Sequence, residues 1–196
     1  MGDVMKPRVA GVALVLFSSL ARAADPNLLP NGDFGTGNQI AGWTLYGAGS
    51  ISWSTDDAAG GTNSGSMQAD TLANIFLTAS ESACFAVTPG APYVYGGQSK
   101  VIVGSPNISF KCFAVSTTNC TLPGNFVNLP LLTMSNGSSW AAPSSVGGVL
   151  PNDAQSVNCI LEVDGGNSAA SARADNLFFN SAMPTTAVQL QEFDIE

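Results

Sequence analysis

The sequence predicts an all-β protein folded as a two-sheet antiparallel β-sandwich. Three observations carry this. Past residue 23 no long stretch repeats its apolar residues at helical spacing. Short alternating or apolar runs recur instead, spaced by roughly 8–12 residues as in sandwiches and barrels. Charged residues make up only 10% of the chain while glycines number 21, a balance that suits strands and tight turns better than solvated helices.

In chain order the expected strands are Trp43 to Leu45, Ser50 to Ser54, Ser66 to Ala69, Ala73 to Thr78 and Ala83 to Val87. Tyr93 to Gly97, Val101 to Val103, Ile108 to Val115, Phe126 to Met134, Val157 to Val163 and Asn176 to Phe179 follow. Turn residues fill the gaps, as in Thr88-Pro89-Gly90 and Gly104-Ser105-Pro106. Asp56 to Gly65 and Ser135 to Gly148 read as polar loops, the second interrupted by Trp140. No internal repeat of blade or solenoid length is present.

The ends of the chain differ from its middle. Lys6 and Arg8 precede an apolar run, Val9 to Leu20, and a small-x-small site, Ala21-Arg22-Ala23. That order reads as a secretory signal peptide over residues 1–23, and its apolar run is too short to span a bilayer. A sandwich domain over 24–180 follows, then a linker and tail strand over 181–196. In the tail Val188, Leu190, Phe193 and Ile195 alternate with polar neighbours and slip phase once, as a bulged strand or a pairing edge would. Self-association through that tail is the expectation it raises.

After cleavage three basic residues remain, Lys100, Lys111 and Arg173, against all the acidic residues except Asp3. So acidic a chain, with no Lys/Arg cluster, is a poor partner for nucleic acid and for an anionic membrane surface. Export places it outside the cytoplasm, at the cell surface, in the medium or in a periplasm. There Cys84, Cys112, Cys120 and Cys159 read as two disulfides. Four cysteines allow three pairings. The short stretch between Cys112 and Cys120 favours Cys112–Cys120 with Cys84–Cys159.

Several segments carry a resemblance. Asn27-Leu28-Leu29-Pro30-Asn31-Gly32-Asp33-Phe34 is followed by Gly42-Trp43. Cys84 to Tyr93 reads as a strand, then Val87-Thr88-Pro89-Gly90, then another strand. Asp153 to Val157 and the closing Asp175-Asn176-Leu177-Phe178-Phe179 complete the order. Over residues 26 to 180 the chain resembles the CenC-type carbohydrate-binding modules (families 4, 9 and 22), galactose-binding-like jelly rolls, and its style is bacterial. The resemblance implies first and last strands lying side by side. It also implies one structural calcium between them, held by Asp175 and by an acid after Phe34; here that position is Gly35, with Asp33 the nearby carboxylate. It marks Trp43, Phe34, Phe85 and Phe178 as core.

The chain holds no histidine, which excludes Ser-His-Asp and Cys-His catalysis and His-ligated metals. Carboxylate pairs for glycoside hydrolysis, Asp56/Asp57 and Glu162/Asp164, sit in no recognisable motif; in a strand Glu162 and Asp164 share one exposed face. The expectation is therefore a non-enzymatic binder of a glycan or polysaccharide. Flat aromatic rings would meet sugar C–H faces, and Trp53, Tyr46 and Trp140 are the expected platforms. The alternative is a structural or adhesive surface protein with no small ligand. Sequons at Asn107, Asn119 and Asn136 have no assigned role.

Overall fold

The computed structural model describes residues 27–74 and 77–181. The expected signal peptide and the tail with Val188 to Ile195 lie outside the described residues. The described residues form twelve strands: β1 (Trp43–Gly47), β2 (Ser50–Ser54), β3 (Ser66–Thr71), β4 (Leu77–Ser82), β5 (Phe85–Ala86), β6 (Pro92–Val103), β7 (Asn107–Val115), β8 (Phe126–Asn128), β9 (Leu132–Thr133), β10 (Ser144–Val149), β11 (Ser156–Asp164) and β12 (Ala170–Ser181). There is no helix among the described residues. The first sheet runs β1-β4-β11-β7-β8, with β5 and β9 pairing β11 and β7. The second runs β10-β6-β12-β3-β2. Every pairing is antiparallel. This is the expected sandwich.

Alternation builds its interior. In β7 Ile108, Phe110 and Cys112 point in while Ser109, Lys111 and Phe113 point out; in β11 Val157, Cys159, Leu161 and Val163 point in. Aromatic rings from both sheets fill the centre. Phe179 packs against both Tyr93 (5.4 Å) and Tyr95 (6.0 Å), and Tyr95 meets Phe110 edge-on at 5.6 Å. The Tyr95 hydroxyl donates to the Pro130 carbonyl, and burial pushes its pKa up to about 12.

Several expectations are corrected. The run Ala73 to Thr78 is not one strand: Asn74 turns with φ 68° and β4 begins at Leu77. Tyr93 to Gly97 and Val101 to Val103 merge into the single strand β6, because Gly97 lets the backbone come against Leu177, where a Cβ would sit 2.4 Å from its side chain. Phe126 to Met134 breaks into β8 and β9 around Pro130, which cannot donate to a ladder. The glycine-rich Ser135 to Gly148 loop ends in a strand, β10, an edge whose Gly148 makes room for the Tyr93 ring. The closing strand starts six residues earlier than expected, through the weak β-formers Ala170 to Ala174. A bulge between Asp175 and Phe178 shifts its phase, so Phe179 is core and Phe178 only half-buried.

The disulfides are Cys84–Cys120 and Cys112–Cys159, not the expected pairs. Cys112 and Cys159 face each other in register across β7 and β11 with Cα atoms 4.0 Å apart. The loop after β7 does not bring Cys120 back to Cys112. It carries Cys120 to Ser156 at the start of β11, three residues before Cys159, where Cys84 waits.

The first and last described segments do lie side by side, though residues 27–34 form turns rather than a strand. Leu28 N–H donates to the Phe179 carbonyl (2.9 Å) and Leu177 N–H to the Gly32 carbonyl (2.8 Å). The Asn27 amide donates to the Leu177 carbonyl (2.8 Å) and accepts from Phe179 N–H (3.0 Å). Asn31 and Phe34 take positive φ, which keeps this segment out of the β region.

Candidate functional site

Each sheet has an outer face, and the two differ. On the first, side chains align in rows set by register. One row reads Tyr46, Ala79, Glu162, Ser109, Thr133. The next reads Thr44, Glu81, Ile160, Lys111, and a third reads Asn158, Phe113, Asn128. From these rows Tyr46, Glu81, Lys111, Phe113, Asn158, Ile160 and Glu162, together with Phe126, line a recess of about 330 Å³, within the range of small-ligand sites. A second recess beyond Glu162 is lined by Leu77, Asn107, Ser109, Leu131, Thr133 and Asp164; Glu162 lines both, so the two form one open groove along the face.

The groove has aromatic walls and a polar floor. Tyr46 is 64% exposed and Phe126 46% exposed, unusual for rings with a core to join. Phe113 lines the same recess from β7. There Lys111 pairs with Glu162, and Ser109 Oγ donates to the same carboxylate (3.2 Å). The Lys111 ammonium sits 5.9 Å from the Phe113 ring centre. The Asn158 amide donates to Glu81.

Over the outer face of the second sheet two loops close down, 55–65 and 134–143. Asp56 receives the Trp140 indole N–H (3.1 Å), and both Lys100 and Arg173 pair with it. Burial opposes the Asp56 charge, but these donors outweigh it and hold the carboxyl below its usual range. Gln98 fastens the second loop by donating to the Ala141 carbonyl (2.7 Å). Of the expected platforms, Tyr46 lies in the groove and the other two do not. Trp140 is consumed in this latch. Trp53 belongs to the second sheet and packs on its inner side over Gly65, where a Cβ would sit 2.6 Å from the ring; its indole N–H donates to the Phe34 carbonyl (2.9 Å). Trp53 and Tyr46 therefore share no groove.

Asp175 lies under the 55–65 loop, fully buried. Its oxygens accept N–H from Ala58 (2.8 Å) and Asn176 (2.6 Å), and the Asp57 carboxyl lies against it. Burial, opposed by those two amides and assisted by Asp57, raises the Asp175 pKa to about 7. Asp57 goes the other way: burial opposes its charge, but Ser64, Ala59 and Gly61 donate to it and lower its pKa. Three donors plus Asp175 fill the four acceptor positions of the Asp57 carboxylate. A proton at this contact therefore sits on Asp175 in preference to Asp57. Asp33, the other expected calcium ligand, is exposed and enters no hydrogen bond or ion pair among the described residues. No three acidic, histidine or cysteine side chains gather among the described residues. Carboxylates here thus supply only part of the six to eight oxygens that calcium wants.

Sequence reasoning missed Glu81, Lys111, Phe113, Phe126 and Asn158. One signal was present: Phe113 occupies the polar phase of β7, alongside Ser109 and Lys111.

No known family pattern matches the sequence, and no curated protein matches it. Solved structures do share the fold. The enzymatically active domain of tailspike protein 4 of bacteriophage CBA120 superposes with TM-score 0.62 at 15% identity over 80% of this chain, which spans about a fifth (21%) of that protein. A family 16 carbohydrate-binding module gives 0.56 at 20% identity, covering 78% of this chain and 99% of the module. A family 4 module gives 0.54 at 15%, covering 79% and 99%. The fold is a jelly-roll sandwich of the carbohydrate-binding-module type.

Proposed function

We propose that this is an exported, non-catalytic glycan-binding protein whose recognition surface is the outer face of the first sheet. The observation that carries the reading is the groove itself: Tyr46, Phe113 and Phe126 offered as stacking surfaces beside Glu81, Lys111, Asn158 and Glu162. Aromatic faces meet sugar C–H groups, and polar side chains fix the hydroxyls. The likeness to solved carbohydrate-binding modules supports it. Two disulfides accord with an oxidising compartment outside the cytoplasm.

The test is retention on a panel of polysaccharides, with affinity measured by native gel electrophoresis in polymer. Tyr46→Ala and Phe126→Ala should each weaken binding about tenfold. Binding by no member of a broad panel would remove the reading. Non-catalysis is checked on the same polymers: reducing ends should not increase. An increase that Glu162→Gln or Glu81→Gln abolishes would make the protein a hydrolase instead.

A further inference from the structure

We infer that the Cys84–Cys120 disulfide is a positioning clamp for the groove. It holds the chain that carries Phe126, so a dithiol that opens it loosens that wall and weakens glycan binding while the sandwich stays folded. This rests on the glycan-binding reading above and adds the regulation of the same site.

The wall that carries Phe126 is weakly anchored by its own packing. Val115 ends β7 fully buried, and the next buried residue is Leu129. Between them no residue of 116–128 is buried, and Leu122 is 80% exposed. All of β8 is exposed, and Phe126 stands at its loop end, opposite Val115. Backbone pairing at so short and wet an edge frays readily. Ser116 N–H donates to the Asn125 carbonyl (3.1 Å) and Asn125 N–H to Ser116 Oγ (2.8 Å), but these bonds close the loop upon itself.

A covalent tie fastens this stretch to the sandwich. Cys120 N–H donates to Ser156 Oγ (3.2 Å), and its sulfur is bonded to Cys84, which follows buried Ser82 and precedes buried Phe85. The tie divides a long unburied segment into two shorter ones and cuts the conformations open to it. A ring already held in its bound pose has less freedom to lose, so the clamp raises affinity without touching the ligand. The two disulfides differ in access. Cys84 and Cys120 are half-buried, whereas Cys112 is 1% and Cys159 0% exposed. Exchange needs a thiolate to reach a sulfur, so a dithiol opens Cys84–Cys120 first. It passes two electrons and two protons to those sulfurs, leaves both as thiols and itself becomes a disulfide. Cys112–Cys159 stays closed inside and keeps β7 and β11 in register.

The experiment treats the full chain with graded dithiol, traps free thiols by alkylation and locates them by mass spectrometry. Label should appear at Cys84 and Cys120 while Cys112 and Cys159 remain bonded and the circular dichroism is unchanged. In that state hydrogen exchange should quicken over residues 116–128 and not over β11. Affinity for the polysaccharide that the untreated protein binds should fall about fivefold. The Cys84→Ser/Cys120→Ser double variant should match the reduced protein. A mutant cycle separates positioning from general loosening: in that variant Phe126→Ala should cost about twofold instead of about tenfold, while Tyr46→Ala keeps its cost of about tenfold. Four outcomes each overturn the inference and leave the glycan reading standing: unchanged affinity on reduction, an undiminished Phe126→Ala cost, an equal fall in the Tyr46→Ala cost, or unfolding once Cys84–Cys120 alone is open. Binding of no polymer by the untreated protein removes the glycan reading. The clamp then stands or falls on exchange over 116–128, and no quickening there overturns it.

Discussion

On the second sheet the Lys100 ammonium lies 5.1 Å from the Trp140 ring centre and pairs with Asp56; on the first, Lys111 lies 5.9 Å from the Phe113 ring centre and pairs with Glu162. The same triplet of lysine, aromatic ring and carboxylate thus occurs on both outer faces. What differs is the chain above. Loops 55–65 and 134–143 cross the second face, and several polar groups there find partners within the protein, such as Gln98 on Ala141 and Trp140 on Asp56. Among the described residues no such loop covers Tyr46 and Phe126 on the first, which stay exposed. Residue types alone therefore do not mark a binding site; whether a loop covers them decides how far they stay open to a ligand.

The comparison predicts a double dissociation, with its largest effect on the closed face. Asp56→Ala strands Lys100 and Arg173, both mostly buried, and frees the Trp140 indole. Its cost should be about 2–3 kcal/mol, below the full penalty for a buried pair because Asp56 is partly exposed. Glycan affinity should not move. Tyr46→Ala should do the reverse, losing affinity without lowering the melting temperature by more than a degree or so. Chemical denaturation and binding on the same samples check both. Were Asp56→Ala to weaken binding at full occupancy of the folded state, the closed face would belong to the site.

Much of the fold was legible because alternation is a local signal. The inward residues of β7 and β11 can be read off their runs. What escaped was long-range. The Cys112–Cys159 pairing follows from a register spanning 47 residues, and no nearest-neighbour argument reaches it. β10 and the start of β12 are strands by virtue of their partners, since Gly147, Gly148 and Ala170 to Ala174 have little preference of their own. The site fared worse. Trp53 and Trp140 were attractive as large rings among polar neighbours, yet Phe34 and Asp56 claim their indole N–H groups. The rows that build the groove come from β1, β4, β11, β7 and β8, which only the folded register brings together.

The next effect is a pH dependence, also confined to the closed face. The Asp175 pKa stands near 7 in the fold and returns to about 3.9 when unfolded. The folded state therefore holds that proton more tightly. Its stabilisation is complete below about pH 4 and is lost as pH rises through about 7, with a slope of at most about 1.4 kcal/mol per pH unit. Asp56 and Asp57 have lowered values, so their contributions are present above the ordinary carboxylate range and are lost only in stronger acid. Stability should peak near pH 4–5 and fall towards neutrality. Urea midpoints measured from pH 3 to pH 8 would show it. A curve that rises instead between pH 5 and 7 would mean that Asp175 is ionised in the fold.

The smallest expected effect separates a proton from a metal at the same place. Asp175→Asn keeps a donor toward Asp57 at every pH, while giving up one acceptor of the Ala58 and Asn176 amides. The variant should lie within about 1 kcal/mol of the parent at pH 5 and match or exceed it at pH 8. Its stability should be flat across the window in which the parent declines. A chelator should leave both melting temperatures unchanged, and millimolar calcium should raise neither. If an ion held the two carboxyls together, Asp175→Asn would be among the most damaging changes on this face, and calcium would raise the parent's melting temperature with its concentration while leaving the variant's where it was. The ends of the chain would then depend on a ligand set with Asp57 standing in for the acid absent at Gly35, rather than on the Asn27 amide and the backbone bonds to Leu177 and Phe179.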